Sequence, residues 1–209
     1  MPDAVLELSY SNYQTVFNAL SFALASMLAT FVFLLAVQGR VLPRYRQALV
    51  VSAMVCLIAA YHYYRIFNSF TDAYVATGAG DPVQSGMDVL YSLRLGEGFN
   101  EGYRYVDWLL TVPLLLFETI ALARNVRKSL LLKLIPASAL MIILGYPGEI
   151  SMDNMTRGIW GALSTIPFLY ILYILWVELS KSMKTQPEQV RKDLNGLRLL
   201  LLATWGVYP

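Results

Sequence analysis

The feature that most constrains this chain is a set of apolar runs, each a candidate to cross a bilayer. They fall at about 13–37, 47–69, 103–125, 130–147, 157–178 and 195–209. A hydrocarbon core of roughly 30 Å takes about 20 apolar helical residues to span. In lipid, an open backbone has no water to satisfy it. With 57% hydrophobic and 14% charged residues and a mean hydropathy of +0.52, the composition is too apolar for a soluble domain of 209 residues. The expected class is an all-α membrane protein forming a single transmembrane domain over 1–209. Short connections make neighbouring helices pack antiparallel.

Charge orients the bundle. Arg40, Arg44 and Arg46 follow the first run; Arg124, Arg127, Lys128 and Lys133 surround the next connection of the same parity. Lys181, Lys184, Arg191, Lys192 and Arg198 surround the one after it. The alternate connections and the N-terminus carry Asp3, Glu7, Asp72, Asp81, Asp88, Glu97, Glu101, Glu149 and Asp153. Basic loops stay inside, so the N-terminus is expected outside the cell (plasma or inner) membrane. The net charge of +2 is scattered over short loops and gives no nucleic-acid face. The single cysteine, Cys56, excludes an internal disulfide and reads as a small packing residue. No basic region precedes the first apolar run, so that helix is expected to insert without a cleaved signal. The connection Thr71–Gly102 holds a Gly-Ala-Gly-Asp-Pro turn at 78–82 and the alternating stretch Val89-Leu90-Tyr91-Ser92-Leu93, which predicts a short β-hairpin.

The third run contains Arg104-Tyr105-Val106-Asp107-Trp108-Leu109-Leu110-Thr111-Val112-Pro113 and, further on, Glu118. Ionisable groups at membrane depth are costly and are functional hypotheses by default. On a helix, Asp107 and Glu118 lie about 20° apart around the axis and roughly 16 Å apart along it. Arg104 and Thr111, at i−3 and i+4, flank Asp107. One face therefore presents an acid toward each membrane surface, the layout of a proton path. His62, the only histidine, sits about two turns before the end of its run, at a depth where it can meet Asp107. Such a pair would share a proton and titrate as a unit.

The pattern Arg-Tyr-x-Asp-Trp-x-x-Thr-x-Pro, with a carboxylate eleven residues after the Asp, closely resembles the third helix of microbial (type 1) rhodopsins. Trp205-x-x-Tyr208-Pro209 resembles the family's sixth helix, and Arg157-Gly158-Ile159-Trp160-Gly161-Ala162-Leu163-Ser164-Thr165 its fifth. Gly145-Tyr146-Pro147-Gly148-Glu149 looks like the end of the fourth in the xanthorhodopsin branch. The His–Asp pair is similar to the acceptor pair of proteorhodopsins and xanthorhodopsins. The resemblance runs through the whole chain.

That resemblance implies a seven-helix bundle around all-trans retinal held as a protonated Schiff base, and a light-driven outward proton pump. Asp107 with His62 would be counterion and proton acceptor, and Glu118 the cytoplasmic proton donor. Arg104 and Thr111 would tune the path. Trp108, Leu115, Ser164, Thr165, Trp205, Tyr208 and Pro209 would contact retinal, with Leu at 115 matching green absorption. Gly161, where many relatives carry Trp, would open a window for a carotenoid antenna; small-residue helix packing explains it equally. Metal and soluble substrates other than protons are not expected; a lipid bilayer and a homo-oligomer are. The protein is not expected to be an enzyme.

One departure matters. The family's retinal-bearing lysine and a second counterion lie on a seventh helix, which this sequence does not contain. Lys128, Lys133, Lys181, Lys184 and Lys192 all fall in loops or helix ends, and the sixth run is still apolar where the chain stops. The natural protein is expected to continue. Two competing readings remain: a retinal photosensor signalling through a partner, and a non-photoactive fragment.

Overall fold

The computed structural model describes residues 7–77, 89–94, 99–100, 102–122, 128–183 and 188–205. Within them lie helices α1 (Tyr10–Val37), α2 (Pro43–Ala73), α3 (Tyr103–Leu122), α4 (Leu131–Glu149), α5 (Asn154–Met183) and α6 (Glu188–Trp205). Each packs against the next in sequence. Four of them, α1, α2, α4 and α5, are long and apolar enough to cross a membrane by length and composition. Helix α3 spends three of its twenty residues on Arg104, Asp107 and Glu118.

Several helices outrun their apolar segments. Pro43, preset for a first helical turn, starts α2 ahead of the apolar run. Glu188 and Lys192 pair at 3.4 Å across one turn, carrying α6 back into polar sequence. Asp153 precedes α5 and accepts from Thr156 N at 2.8 Å and Thr156 Oγ1 at 2.7 Å. Those two bonds hold its carboxyl below the usual aspartate range.

The predicted hairpin is present. Strands β2 (Tyr74–Thr77) and β3 (Leu90–Leu93) pair antiparallel, and β1 (Leu8–Ser9) adds a third strand, in the order β1-β3-β2. Tyr74 faces Leu93 and Ala76 faces Tyr91 in register. The turn expected at 78–82 lies outside the described residues. Aromatics fasten this sheet to the bundle: Tyr13 of α1 stacks on Tyr91 at 3.9 Å and on Phe70 of α2 at 4.9 Å. Stacked pairs of this kind contribute about 0.5–1.5 kcal/mol beyond area burial.

A second core lies toward the opposite end, where Leu116 and Ile120 of α3 pack with Leu134 of α4 and Ile171, Ile174 and Leu175 of α5. In lipid such a core coheres by close packing of side chains, since the tails outside are equally apolar. The second core braces the far end of α3. Its middle faces a cavity.

Candidate functional site

The cavity has a volume of about 480 Å³ and is lined by α1, α2, α3, α4 and α5. That is within the range of roughly 300–1,000 Å³ typical of small-molecule sites. Asp107, Trp108, Thr111 and Leu115 of α3 and Ser164 and Thr165 of α5 all line it: four of the expected retinal contacts, the expected counterion and one residue expected to tune the path. The helical period explains this: 108, 111, 112 and 115 share one face of α3. Ser164 is buried and donates to the Met141 carbonyl of α4 at 2.8 Å, tying the two helices together beside the cavity. Tyr105 packs on Trp108 with ring centroids 5.1 Å apart.

Asp107 is only 5% exposed, and its Oδ1 has no hydrogen-bond partner. A buried carboxylate oxygen left unpaired is expensive, so it marks a place built for a positive or proton-bearing group. His62 of α2, 6% exposed, brings Nδ1 to 3.7 Å from that oxygen. The same Nδ1 lies 2.9 Å from the Ile58 carbonyl, which can only accept. Nδ1 therefore carries a hydrogen directed mainly at the backbone, and its contact with Asp107 is one of charge distance, not a full hydrogen bond. Thr111, also buried, donates to the backbone carbonyl of Asp107 at 2.9 Å and not to its carboxylate. It shapes the turn that carries the acid.

Glu118 sits apart from the cavity, half-buried beside the second core. Ser52 Oγ of α2 lies 2.6 Å from its Oε1. The sequence reading missed Ser52, because a serine in an apolar helix passes as filler. The available signal was its spacing from Cys56, which puts two small polar groups one turn apart on α2. Arg104 is turned to the hairpin end, its Nη2 3.9 Å from Oε1 of Glu149 at the end of α4.

Gly161 of α5 faces open space: a Cβ there would meet no atom within 4 Å. Trp205 is the last residue of α6, and Tyr208 and Pro209 lie outside the described residues. Among the described lysines, none lines the cavity.

An acid-lined cavity inside a sequentially packed helical bundle, with a three-stranded sheet at one end, matches known proteins. Residues 13–209 match the family described as bacteriorhodopsin-like protein. The chain belongs to that family. It is a multi-pass membrane protein with a microbial-rhodopsin fold. The crystal structure of xanthorhodopsin, described as a light-driven ion pump with dual chromophore, superposes with a TM-score of 0.85 at 47% identity, covering 98% of this chain and 79% of that one. A thermophilic rhodopsin aligns equally well, at 46% identity. Among curated relatives, the green-light absorbing proteorhodopsin of Gamma-proteobacterium EBAC31A08 is 30% identical over 88% of this chain and 66% of its own length. Archaerhodopsin-2 of Halobacterium sp. (strain aus-2) is 40% identical over 51% of this chain and 40% of its own length. The chain thus spans less than two thirds of these curated relatives.

Proposed function

We propose that this protein is a light-driven outward proton pump that binds retinal in the cell membrane, with its N-terminus outside and as a homo-oligomer. The observation that carries the reading is the pair of acids on α3. Asp107 lines the cavity with an unpartnered, buried Oδ1, and Glu118 lies about three turns further along the same helix, hydrogen-bonded to Ser52. Neither acid has a use in a purely structural bundle that would offset its burial.

The walls fit a long apolar chromophore with a cationic end: Trp108, Leu115 and Thr165 supply surface, and Asp107 supplies the anion. Bound as a protonated Schiff base with a lysine amine, retinal would supply light absorption and a cationic, proton-bearing nitrogen. Asp107 is the anion facing that charge and, through Oδ1, the residue that takes the proton. His62, its Nδ1–H fixed on the Ile58 carbonyl, completes the acceptor pair by keeping a polar ring 3.7 Å from Oδ1. Glu118 holds the replacement proton on the opposite side of the cavity. The two-sided arrangement gives the transport its direction.

The deciding experiment uses cells expressing the gene at its full genomic length, with retinal added, in unbuffered medium. Illumination should acidify the medium, and a protonophore should abolish the change. Asp107→Asn should keep a pigment yet lose acidification by at least about a hundredfold, the scale of removing a proton-transfer group. Undiminished pumping by that variant would refute the acceptor assignment, and a pigment without any acidification in the wild type would favour a sensor.

A carotenoid antenna is proposed at Gly161. Its support is the open space at the Cβ position and the dual chromophore of xanthorhodopsin. With carotenoid bound, excitation in the carotenoid band should drive acidification in the wild type and fail in Gly161→Trp. Equal action spectra would remove the antenna.

A further inference from the structure

We propose that Glu149 is a positioning residue for the acceptor site, holding the Arg104 guanidinium toward the hairpin end and away from Asp107. The inference rests on the pump reading and deepens it. Arg104 lies one turn before Asp107 on the same face of α3, so its side chain has the reach to neutralise that acid. It does not complete the buried carboxylate: Asp107 Oδ1 has no hydrogen-bond partner, while Arg104 Nη2 stands 3.9 Å from Glu149 Oε1.

The surroundings explain why Glu149 can do this. It is the last residue of α4, and α4 meets α3 closely there: Tyr105 and Tyr146 pack edge to face at 5.4 Å, and the Tyr105 hydroxyl lies 3.4 Å from the Gly145 carbonyl. On the α5 side, Arg157 backbone atoms lie 3.4 and 3.6 Å from where a Gly148 Cβ would stand, so the α5 backbone closes against this helix end. The groups facing Asp107 are different ones, His62 from α2 and Thr111 from its own helix. Glu149 and Arg104 are each about a third exposed, at 34% and 35%, so the pair biases the guanidinium without locking it. A bias is what a tunable site needs. Without the Glu149 charge, Arg104 is freer to turn back toward Asp107 and offset its negative charge at the cavity wall. A chromophore cation facing a weakened anion then absorbs at longer wavelength.

The test is the absorption maximum of the purified pigment from the full-length gene, in wild type, Glu149→Gln, Arg104→Gln and the double variant. Glu149→Gln should shift the maximum to the red by a few nanometres, and the double variant should match Arg104→Gln alone. Glu149→Asp, which keeps the charge, should stay at the wild-type wavelength, and Glu149→Ala should shift as Gln does, so poor folding of one variant leaves the comparison intact. An unshifted maximum in Glu149→Gln and Glu149→Ala, or a shift that persists without Arg104, overturns the proposal. Wild-type cells are assayed for acidification in parallel. If they pump and the spectra show no coupling, only this inference fails; if they do not pump, the functional reading fails instead.

Discussion

Ser52 carries one hydroxyl hydrogen and faces two acceptors, the Ala48 carbonyl at 3.1 Å and Glu118 Oε1 at 2.6 Å. With Glu118 ionised, the hydrogen can serve only one of them. With Glu118 protonated, the acid donates to Ser52 Oγ, and Ser52 donates to Ala48, so every group is satisfied. The serine is thus the acid's hydrogen-bonding partner, whichever of the two supplies the hydrogen between them. Removing it should cost one hydrogen bond, about 1 kcal/mol, or five- to tenfold in a rate governed by that proton. Ser52→Ala is therefore expected to change proton uptake after a light flash by about that factor, while leaving the fast release on the Asp107 side as it is. Ser52→Thr, which keeps a hydroxyl, should restore wild-type uptake. Time-resolved pH-dye measurements read both phases, and an unaltered uptake in Ser52→Ala would show that the 2.6 Å contact has no part in it.

Helices α4 and α5 are held together by glycine. A Cβ at Gly148 would lie 3.2 Å from Trp160 Cβ and 3.4 Å from the Arg157 carbonyl, and the second of these is backbone that cannot swing aside. A Cβ at Gly145 would press on Tyr105 at 3.3 Å and on Ser164 Oγ at 3.4 Å. Gly148→Val must therefore push α5 outward, at a cost of about 1–3 kcal/mol for an overpacked contact, seen as a lower melting temperature in detergent. Gly161→Ala, with nothing to meet within 4 Å, is the matched control and should melt no lower than wild type. Much at this scale was legible beforehand. The apolar runs located the helices, and the alternating stretch 89–93 located a strand. The helix ends were not legible, because hydropathy measures what lipid tolerates and α2, α5 and α6 continue into polar sequence where Pro43, Asp153 and the Glu188–Lys192 pair support them. The acids of α3 stood out because charge in an apolar run is rare. Ser52 and Glu149 did not, since their meaning depends on which neighbouring helix they face, and a single helix period carries no such information.

Among the described residues, the basic groups of the first turn and of the ends of α4 and α5 gather at the end opposite the hairpin. Arg40, Arg44, Arg46, Lys133 and Lys181 lie where α1 ends, α2 and α4 begin and α5 ends; Asp72, Glu149 and Asp153 lie at the hairpin end. The side chains of the first group would have to cross the bilayer if the bundle were inverted, against the bias that retains basic loops on the cytoplasmic side. This makes the orientation testable without any photochemistry. These 209 residues hold one cysteine, Cys56, half-buried on α2, and replacing it with Ala, along with any other cysteine of the full-length gene, gives a blank on which single thiols can be placed. Ser11→Cys, in the first turn of α1 at the hairpin end, should react with a membrane-impermeant maleimide added to intact cells. Gln38→Cys, in the turn Gln38–Arg40 between α1 and α2, should react only after the cells are opened. The reverse pattern would place Glu118 on the outer side and Asp107 on the inner side. The same two acids would then move protons inward, so the labelling result fixes the sign of transport before a lamp is switched on.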